Sequence, residues 1–377
     1  MDIEKNNSKY RLYKRSMSNK SLFIKEGDDI AIEAFRRLHN NTDLMISTCL
    51  YNTSEPSTQK IFDLHFHLSS EDSEEIRTST LETCYYINEN FNIPQDCIEI
   101  IYTGGCDGLV ASTAGSSANS GDESANNAGN AISTAAETVI FIPPIVFAGQ
   151  PMPLMPAINY ELAQQIVEDV TEIIDIDVYH RDYLIRLPNS INSQTNRYVI
   201  PLTFKELLYM TAQAIAELSK QPRPEDSMIQ PSRIPEAVEW FMEVHTEFEK
   251  KQHRQNELRK LVLKNGWQIP SCIRCLIWAD LDRSTALEAC RLISGTYSFL
   301  GSHEEEIRYH ILRLARRNDI TGFEEHLKLK AIVTFGVENP ILAECQHPLM
   351  SRFCPAGGCF IAELIEEYEK PFLFQQM

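Results

Sequence analysis

The chain lacks the features by which a membrane or secreted protein is usually identified. Its 377 residues contain no run of about 18 apolar residues, the length that a helix needs to cross a bilayer. The opening residues, Met1-Asp-Ile-Glu-Lys-Asn-Asn-Ser-Lys, carry no apolar segment of the kind found in signal peptides. We therefore expect a cytoplasmic protein without a membrane partner.

Basic residues are missing from a long internal stretch. From Thr78 to His180 the sequence contains no Lys or Arg, whereas the same stretch carries fourteen Asp and Glu. The whole chain has 35 Lys and Arg and a formal net charge of −18. Because non-specific nucleic-acid binding depends on neutralising phosphates, this balance argues against a general nucleic-acid coat. It also predicts that this stretch cannot hold a triphosphate by itself.

Large side chains are nearly absent between Ala111 and Glu137, where Ile132 is the one large aliphatic residue. Such a composition cannot bury enough apolar surface to offset its ordering entropy, so we predict a mobile insertion over residues 107–138. Strand and helix patterns alternate on both sides of it, and from Pro235 to about Arg317 the pattern is helical. We therefore predict an α+β module followed by an all-helical domain. The expected divisions are an arm at 1–30, the module at 31–220, a linker and basic helix at 221–265, and the helical domain at 266–377.

Four of the ten cysteines form the most informative set in the chain. Cys345, Cys354 and Cys359 are spaced C-x8-C-x4-C, and Cys272 lies upstream. Cysteines at short spacing in a reducing compartment favour metal or cluster ligation, and four thiolates suit tetrahedral zinc or a [4Fe–4S] cluster. Two alternatives stay open: the four are ordinary small buried residues, or Cys275 replaces Cys272 as a ligand.

Several segments resemble the small subunit of archaeo-eukaryotic primases. Three segments of this chain, which begin at Asp175, Arg186 and Tyr198, are similar to the third motif region of that family. The segment Asp63-Leu-His-Phe-His-Leu-Ser-Ser-Glu-Asp resembles its first motif, and Ile101-Tyr-Thr-Gly-Gly resembles the start of its second. The C-terminal part is similar to the iron–sulfur domain of the primase large subunit. The resemblance covers about residues 30–375, in the manner of fused primase–polymerases that occur on mobile elements.

The resemblance implies a fold, a cofactor and a set of site residues. The implied fold is a primase small-subunit-like mixed sheet followed by a helical domain. The implied cofactor of the helical domain is a [4Fe–4S] cluster, or alternatively zinc. Its ligands would be Cys272, Cys345, Cys354 and Cys359. Asp175 is the implied catalytic carboxylate. The residues implied to contact nucleotide are Arg186, Asn189, Ser190 and Asn192.

Several positions depart from the resembled pattern: Val139 stands where the family has a His, Gln194 stands where it has a Lys, and two more lie in the first motif. The first motif places two Asp on alternate residues of a strand, where this sequence has His67 and Ser69. Nucleotidyl transfer by two Mg²⁺ or Mn²⁺ ions needs carboxylate ligands, and Asp175 alone is one carboxylate. We therefore predict a primase-related DNA replication protein with a lost or weakened transfer site. It would still bind single-stranded DNA, a primer–template, or a replication protein such as a helicase. The alternative is an active DNA primase–polymerase.

Other interpretations of the same residues remain open. The Asn and Ser residues after Arg186 also suit a turn with side-chain to backbone hydrogen bonds. His65 and His67 on one strand suit a metal-dependent hydrolase, although no third ligand is recognisable. Basic residues offer either phosphate contacts or a solvated helix face. They are Lys250, Lys251, Arg254, Arg259, Lys260 and Lys264 on one helix and Arg308, Arg313, Arg316 and Arg317 on another.

Overall fold

The computed structural model divides the chain into two compact units. It describes residues 10–15, 21–51, 60–103, 136–147, 155–176, 179, 184–223, 232–264, 268–338, 340–343, 345, 347–354, 359 and 362–363. The first unit comprises residues 1–176 and 181–243, and the second comprises 177–180 and 244–377. The division falls inside one long helix, Pro235–Lys264, which lies within the segment predicted as a linker and basic helix at 221–265.

A six-stranded antiparallel sheet, which we call the outer sheet, begins the first unit. The order of five strands is β5-β4-β1-β3-β9, and β2 pairs with β1. Its strands are β1 (Tyr10–Arg15), β2 (Ser21–Lys25), β3 (Leu44–Ser47), β4 (Cys49–Tyr51), β5 (Lys60–Phe62) and β9 (Leu184–Arg186). The prediction of an arm over residues 1–30 is therefore wrong, because Tyr13 and Ile24 are buried against Phe35 of α1 (Asp29–Leu38).

A second, four-stranded antiparallel sheet, which we call the inner sheet, has the order β12-β7-β8-β6. One of its faces packs against two helices and buries Leu64, Phe66 and Leu68 completely. The strands are β6 (Leu64–Ser70), β7 (Glu99–Tyr102), β8 (Ala136–Ile142) and β12 (Ile200–Leu202), and the helices are α2 (Ser73–Phe91) and α3 (Met155–Asp169). Short elements complete the unit: β10 (Ile191–Asn192), β11 (Arg197–Tyr198), α4 (Phe204–Tyr209) and α5 (Ala212–Leu218).

The structure corrects several predictions for this unit. The paired strands in both sheets are antiparallel, so the predicted mixed sheet is wrong. Helix α3 ends at Asp169, and residues 173–175 pair with β6. Helices α4 and α5 are separate, because Thr211 caps a new start by accepting a hydrogen bond from Ala214. β8 begins at Ala136, inside the predicted insertion, and residues 107–135 lie outside the described part of the chain.

Apolar side chains join the two sheets of the first unit. Ile101, Val139 and Phe141 of the inner sheet form one buried cluster with Ile185 of β9 and Val199. This apolar cluster forms the middle of the layer between the two sheets, and polar residues lie at both ends of the layer. One end carries His67 and Glu137, and the other carries Asp63 and Glu99.

The second unit is helical in the part described. The long helix α6 (Pro235–Lys264) enters it at Val244, and further helices follow: α7 (Ser271–Leu276), α8 (Arg283–Phe299), α9 (Glu304–Arg317), α10 (Phe323–Glu338) and α11 (Pro348–Phe353). Its core joins Cys272 and Ile273 of α7 to Leu349 and Met350 of α11. None of the helices in the described ranges is long and apolar enough to cross a membrane.

Candidate functional site

The register of β6 brings the first and third predicted motifs together. The backbone N–H of Asp175 donates to the carbonyl oxygen of His67 at 2.8 Å, and Ser69 N–H donates to Ile173 at 3.1 Å. Together with the bridge between Leu68 and Ile174, these bonds place Asp175 directly opposite His67. Residues opposite each other in an antiparallel pair project from the same face. Asp175 and His67 therefore share the face that looks toward the outer sheet.

A carboxylate that the sequence analysis did not identify lies on the same face. Glu137 of β8 stands opposite Ser69, and its Oε2 is 3.8 Å from Nε2 of His67. Burial pushes the pKa of Glu137 upward, but hydrogen bonding and charge attraction from His67 outweigh it and hold the pKa below its usual range. Thr103, at the end of β7, also donates its hydroxyl to the Glu137 backbone at 3.2 Å.

The face therefore carries two carboxylates beside one histidine. Nevertheless, within the described residues no group of three or more His, Cys, Asp or Glu is arranged so that it could hold a metal ion. His65, two residues before His67 on the same strand, has its Nδ1 3.4 Å from the side-chain nitrogen of Asn159. The hydrolase interpretation accordingly gains no third ligand from the part of the chain that can be seen.

The predicted nucleotide-contacting residues are engaged within the fold. Arg186 forms an ion pair with Asp43 at 3.2 Å. The amide of Asn189 donates to the carbonyl oxygen of Arg223 at 2.9 Å, and the Ser190 hydroxyl donates to Leu187 at 2.7 Å.

Asn192 has a comparable role and donates its amide to the Thr103 carbonyl oxygen at 3.1 Å. Asn189 also adopts a left-handed backbone, with φ of 61°. The Ser190 bond lies within the turn, in the manner of the alternative interpretation, whereas Arg186, Asn189 and Asn192 bind partners in other segments. Any ligand here would have to use a side chain that already has a partner.

A buried charged cluster occupies the other end of the sheet-to-sheet layer. Arg11 of β1 donates to Asp63 at 2.8 Å, and the Asp63 side chain is completely buried. Burial raises the pKa of Asp63 to about 6, and the charge of Arg11 opposes that rise. Burial likewise raises the pKa of Glu99 to about 7. Arg11 of the outer sheet thus acts on two carboxylates beside the inner sheet, the buried Asp63 and the partly buried Glu99.

The four predicted cysteine ligands lie within electrostatic reach of one another in the second unit. Burial first, and then the thiols of Cys359, Cys354 and Cys345, raise the pKa of Cys272 to about 11. Burial, Cys359 and Cys354 also raise the pKa of Cys345. Helix α7, which carries Cys272, packs against α11, which Cys354 terminates.

This donor set has the chemistry that zinc or a [4Fe–4S] cluster requires, because a bound cation would relieve the repulsion among four thiolates. The four thiols are not, however, assembled as a ligand group in the described structure. Cys275, the alternative ligand, is exposed one turn away on α7. Its thiol is not among those that raise the pKa of Cys272.

Most of the basic residues proposed for phosphate contact have partners inside their own unit. Lys250 pairs with Glu247 at 2.5 Å, and Lys260 pairs with Glu257 at 2.6 Å. Arg259 donates to the carbonyl oxygen of Phe299, at the end of α8. These contacts give the α6 face the character of a solvated helix surface.

The basic residues of α9 differ among themselves. Arg308 pairs with Glu304 at 2.5 Å, and Arg317 pairs with Asp280 at 2.8 Å. Arg313 instead lies over the ring of Trp278, 3.4 Å from its centroid.

Comparison of the chain with protein-family models, with curated proteins and with solved structures finds no match. The assignment of a function therefore depends on the residues and geometry described above.

Proposed function

We propose that this chain is a primase-related DNA replication protein of a mobile element, with nucleotidyl transfer lost or weakened and nucleic-acid or partner binding retained. The observation that carries the proposal is the pairing of residues 173–175 with β6. This pairing sets Asp175 opposite His67, which is the convergence of first and third motifs that a primase-like site requires.

Three features support a weakened transfer site. Two-metal phosphoryl transfer needs several carboxylate oxygens around two ions. Here the strand positions next to Asp175 hold an imidazole and a hydroxyl, those of His67 and Ser69. Arg186, which a triphosphate would need, is held by Asp43.

Under the same proposal, the four cysteines have a structural role. A [4Fe–4S] cluster, or alternatively zinc, would tie α7 to the segment around α11. Because such a site does not exist in the unfolded chain, its binding free energy would stabilise the folded second unit.

The active primase–polymerase remains the second candidate, and Glu137 is the observation that favours it. With Asp175 it supplies a second carboxylate on the face that carries His67. A site of this composition would suit Mn²⁺ better than Mg²⁺, because one of its donors is an imidazole nitrogen.

Primer synthesis and primer extension on single-stranded DNA test the two candidates. The protein is purified without oxygen, and labelled nucleotides are supplied with Mg²⁺ or Mn²⁺. We expect binding without synthesis. Products that disappear in both Asp175→Ala and Glu137→Gln would establish an active polymerase. A protein that ignores single strands and primer–template junctions at low salt would have a protein as its partner.

A further inference from the structure

A half-exposed tryptophan, Trp278, lies on the surface of the second unit. Trp278 follows α7, and 51 % of it is exposed. The backbone beside it is fastened to the end of α9, since Asn318 donates to Ala279 and accepts from the Leu281 N–H. The exposed half of the ring offers a flat apolar surface on which a ligand can stack.

Arg313 of α9 contacts this ring, and a tyrosine and a second arginine share its side of the helix. Tyr309, Arg313 and Arg316 recur at intervals of four and three, which places them on one stripe of the helix. Tyr309 is 59 % exposed, and the Arg313 guanidinium lies over the Trp278 ring. The stripe ends at the exposed Glu305, one turn before Tyr309.

The acidic side chains nearest to Trp278 along the chain are already engaged. Asp280 accepts two hydrogen bonds from Arg317, at 2.8 and 3.1 Å. Asp282 caps α8 by accepting from Thr285. Asp280 is thus neutralised by Arg317 and Asp282 is directed at α8, while Arg313 and Arg316 supply positive charge on the same helix as the exposed Tyr309 ring.

We propose that Trp278, Tyr309, Arg313 and Arg316 form a binding surface for single-stranded nucleic acid. An unpaired base offers a ring face to stack on the indole, and its phosphates offer the charge that guanidinium groups bind. A duplex keeps its bases stacked on each other, so it would use the arginines alone. This inference rests on the proposed function, and it identifies the part of the second unit that carries the nucleic-acid contact.

Fluorescence anisotropy of the full-length protein with a labelled oligothymidylate, and with the matching duplex, tests the surface. We expect Trp278→Ala to raise Kd by about tenfold or more, since base stacking contributes about 1–3 kcal/mol per base. Trp278→Phe retains a stacking face and should keep most of the affinity. Arg316→Gln should weaken binding and reduce the salt slope by about one.

Matched controls lie on exposed positions of the first unit. Tyr209→Ala removes an 80 % exposed ring, and Arg37→Gln removes an exposed charge on α1. Both should bind as the wild type does.

The outcomes separate the two proposals. If the wild type binds but Trp278→Ala and Arg316→Gln bind equally well, this surface is wrong while the proposed function stands. Equal affinity for duplex and single strand would also overturn the stacking role. A wild type that binds neither probe at low salt would refute the surface together with nucleic-acid binding in the proposed function.

Discussion

Replacement of Glu99 should change how the free energy of unfolding depends on pH. Glu99 projects from β7 beside the Arg11–Asp63 pair, and burial raises its pKa from 4.5 to about 7. Glu99→Gln replaces the carboxylate by an isosteric amide that does not titrate. Asp63 is a worse choice for this experiment, because it makes the direct hydrogen bonds to Arg11.

The sign and size of the effect follow from the two pKa values. Below pH 4.5 Glu99 is protonated in both the folded and the unfolded chain. Between pH 4.5 and 7 the unfolded chain releases this proton while the folded chain keeps it, so the free energy of unfolding falls as the pH rises. A rise from 4.5 to about 7 corresponds to about 3 kcal/mol. Relative to the wild type, the Gln variant should therefore gain about 2–3 kcal/mol between pH 5 and pH 8.

Urea denaturation at several pH values measures this difference. Trp240 stacks on Phe91 inside the first unit, with ring centroids 4.5 Å apart, and its fluorescence can report on that unit. Glu82→Gln, at an exposed position of α2, serves as the matched control. A difference between wild type and Glu99→Gln that stays constant from pH 5 to pH 8 would refute the reasoning.

Three further changes have expected outcomes. Asp63→Asn removes the carboxylate that accepts from Arg11 at 2.8 Å, leaves Glu26 at 3.7 Å beside the guanidinium, and should cost about 3–5 kcal/mol in urea denaturation; an unchanged midpoint would show that water reaches the pair. Gly336→Ala places a methyl group 2.9 Å from a backbone carbon of α8 and should lower the stability of the second unit by about 1–3 kcal/mol, whereas unchanged thermal unfolding would show that the helices move apart easily. Cys354→Ser should lose bound iron or zinc and soluble yield, unlike Cys275→Ser; a soluble, fully helical Cys354→Ser protein would contradict a structural role.

Local patterns predicted the elements that depend on neighbouring residues. Helix α2 follows Asp72 and α1 follows Asp28, and in each case the Asp side chain caps the helix. The strand pattern around His65 and His67 is that of β6. The ion pairs on α6 also follow from the sequence, because Glu247 and Glu257 each precede a lysine by three residues.

Pairing between distant segments could not be predicted in the same way. The polar composition of residues 1–30 favoured an arm, although β1 lies inside the outer sheet between β2 and β3. Glu137 was treated as the end of a low-complexity insertion, and its role depends on the register that sets it opposite Ser69. A shift of that register by one residue would move its side chain to the other face of the sheet.

The origin of positive charge in the first unit bears on the proposal of a weakened transfer site. Strands β6, β7 and β8 contain no Lys or Arg. The arginines that approach their carboxylates, Arg11 and Arg186, come from the outer sheet. Arg11 forms an ion pair with Asp63, and Arg186 forms one with Asp43. A triphosphate would have to separate Arg186 from Asp43 while adding its own charge beside Glu137, so without bound cations this face repels the substrate of a polymerase.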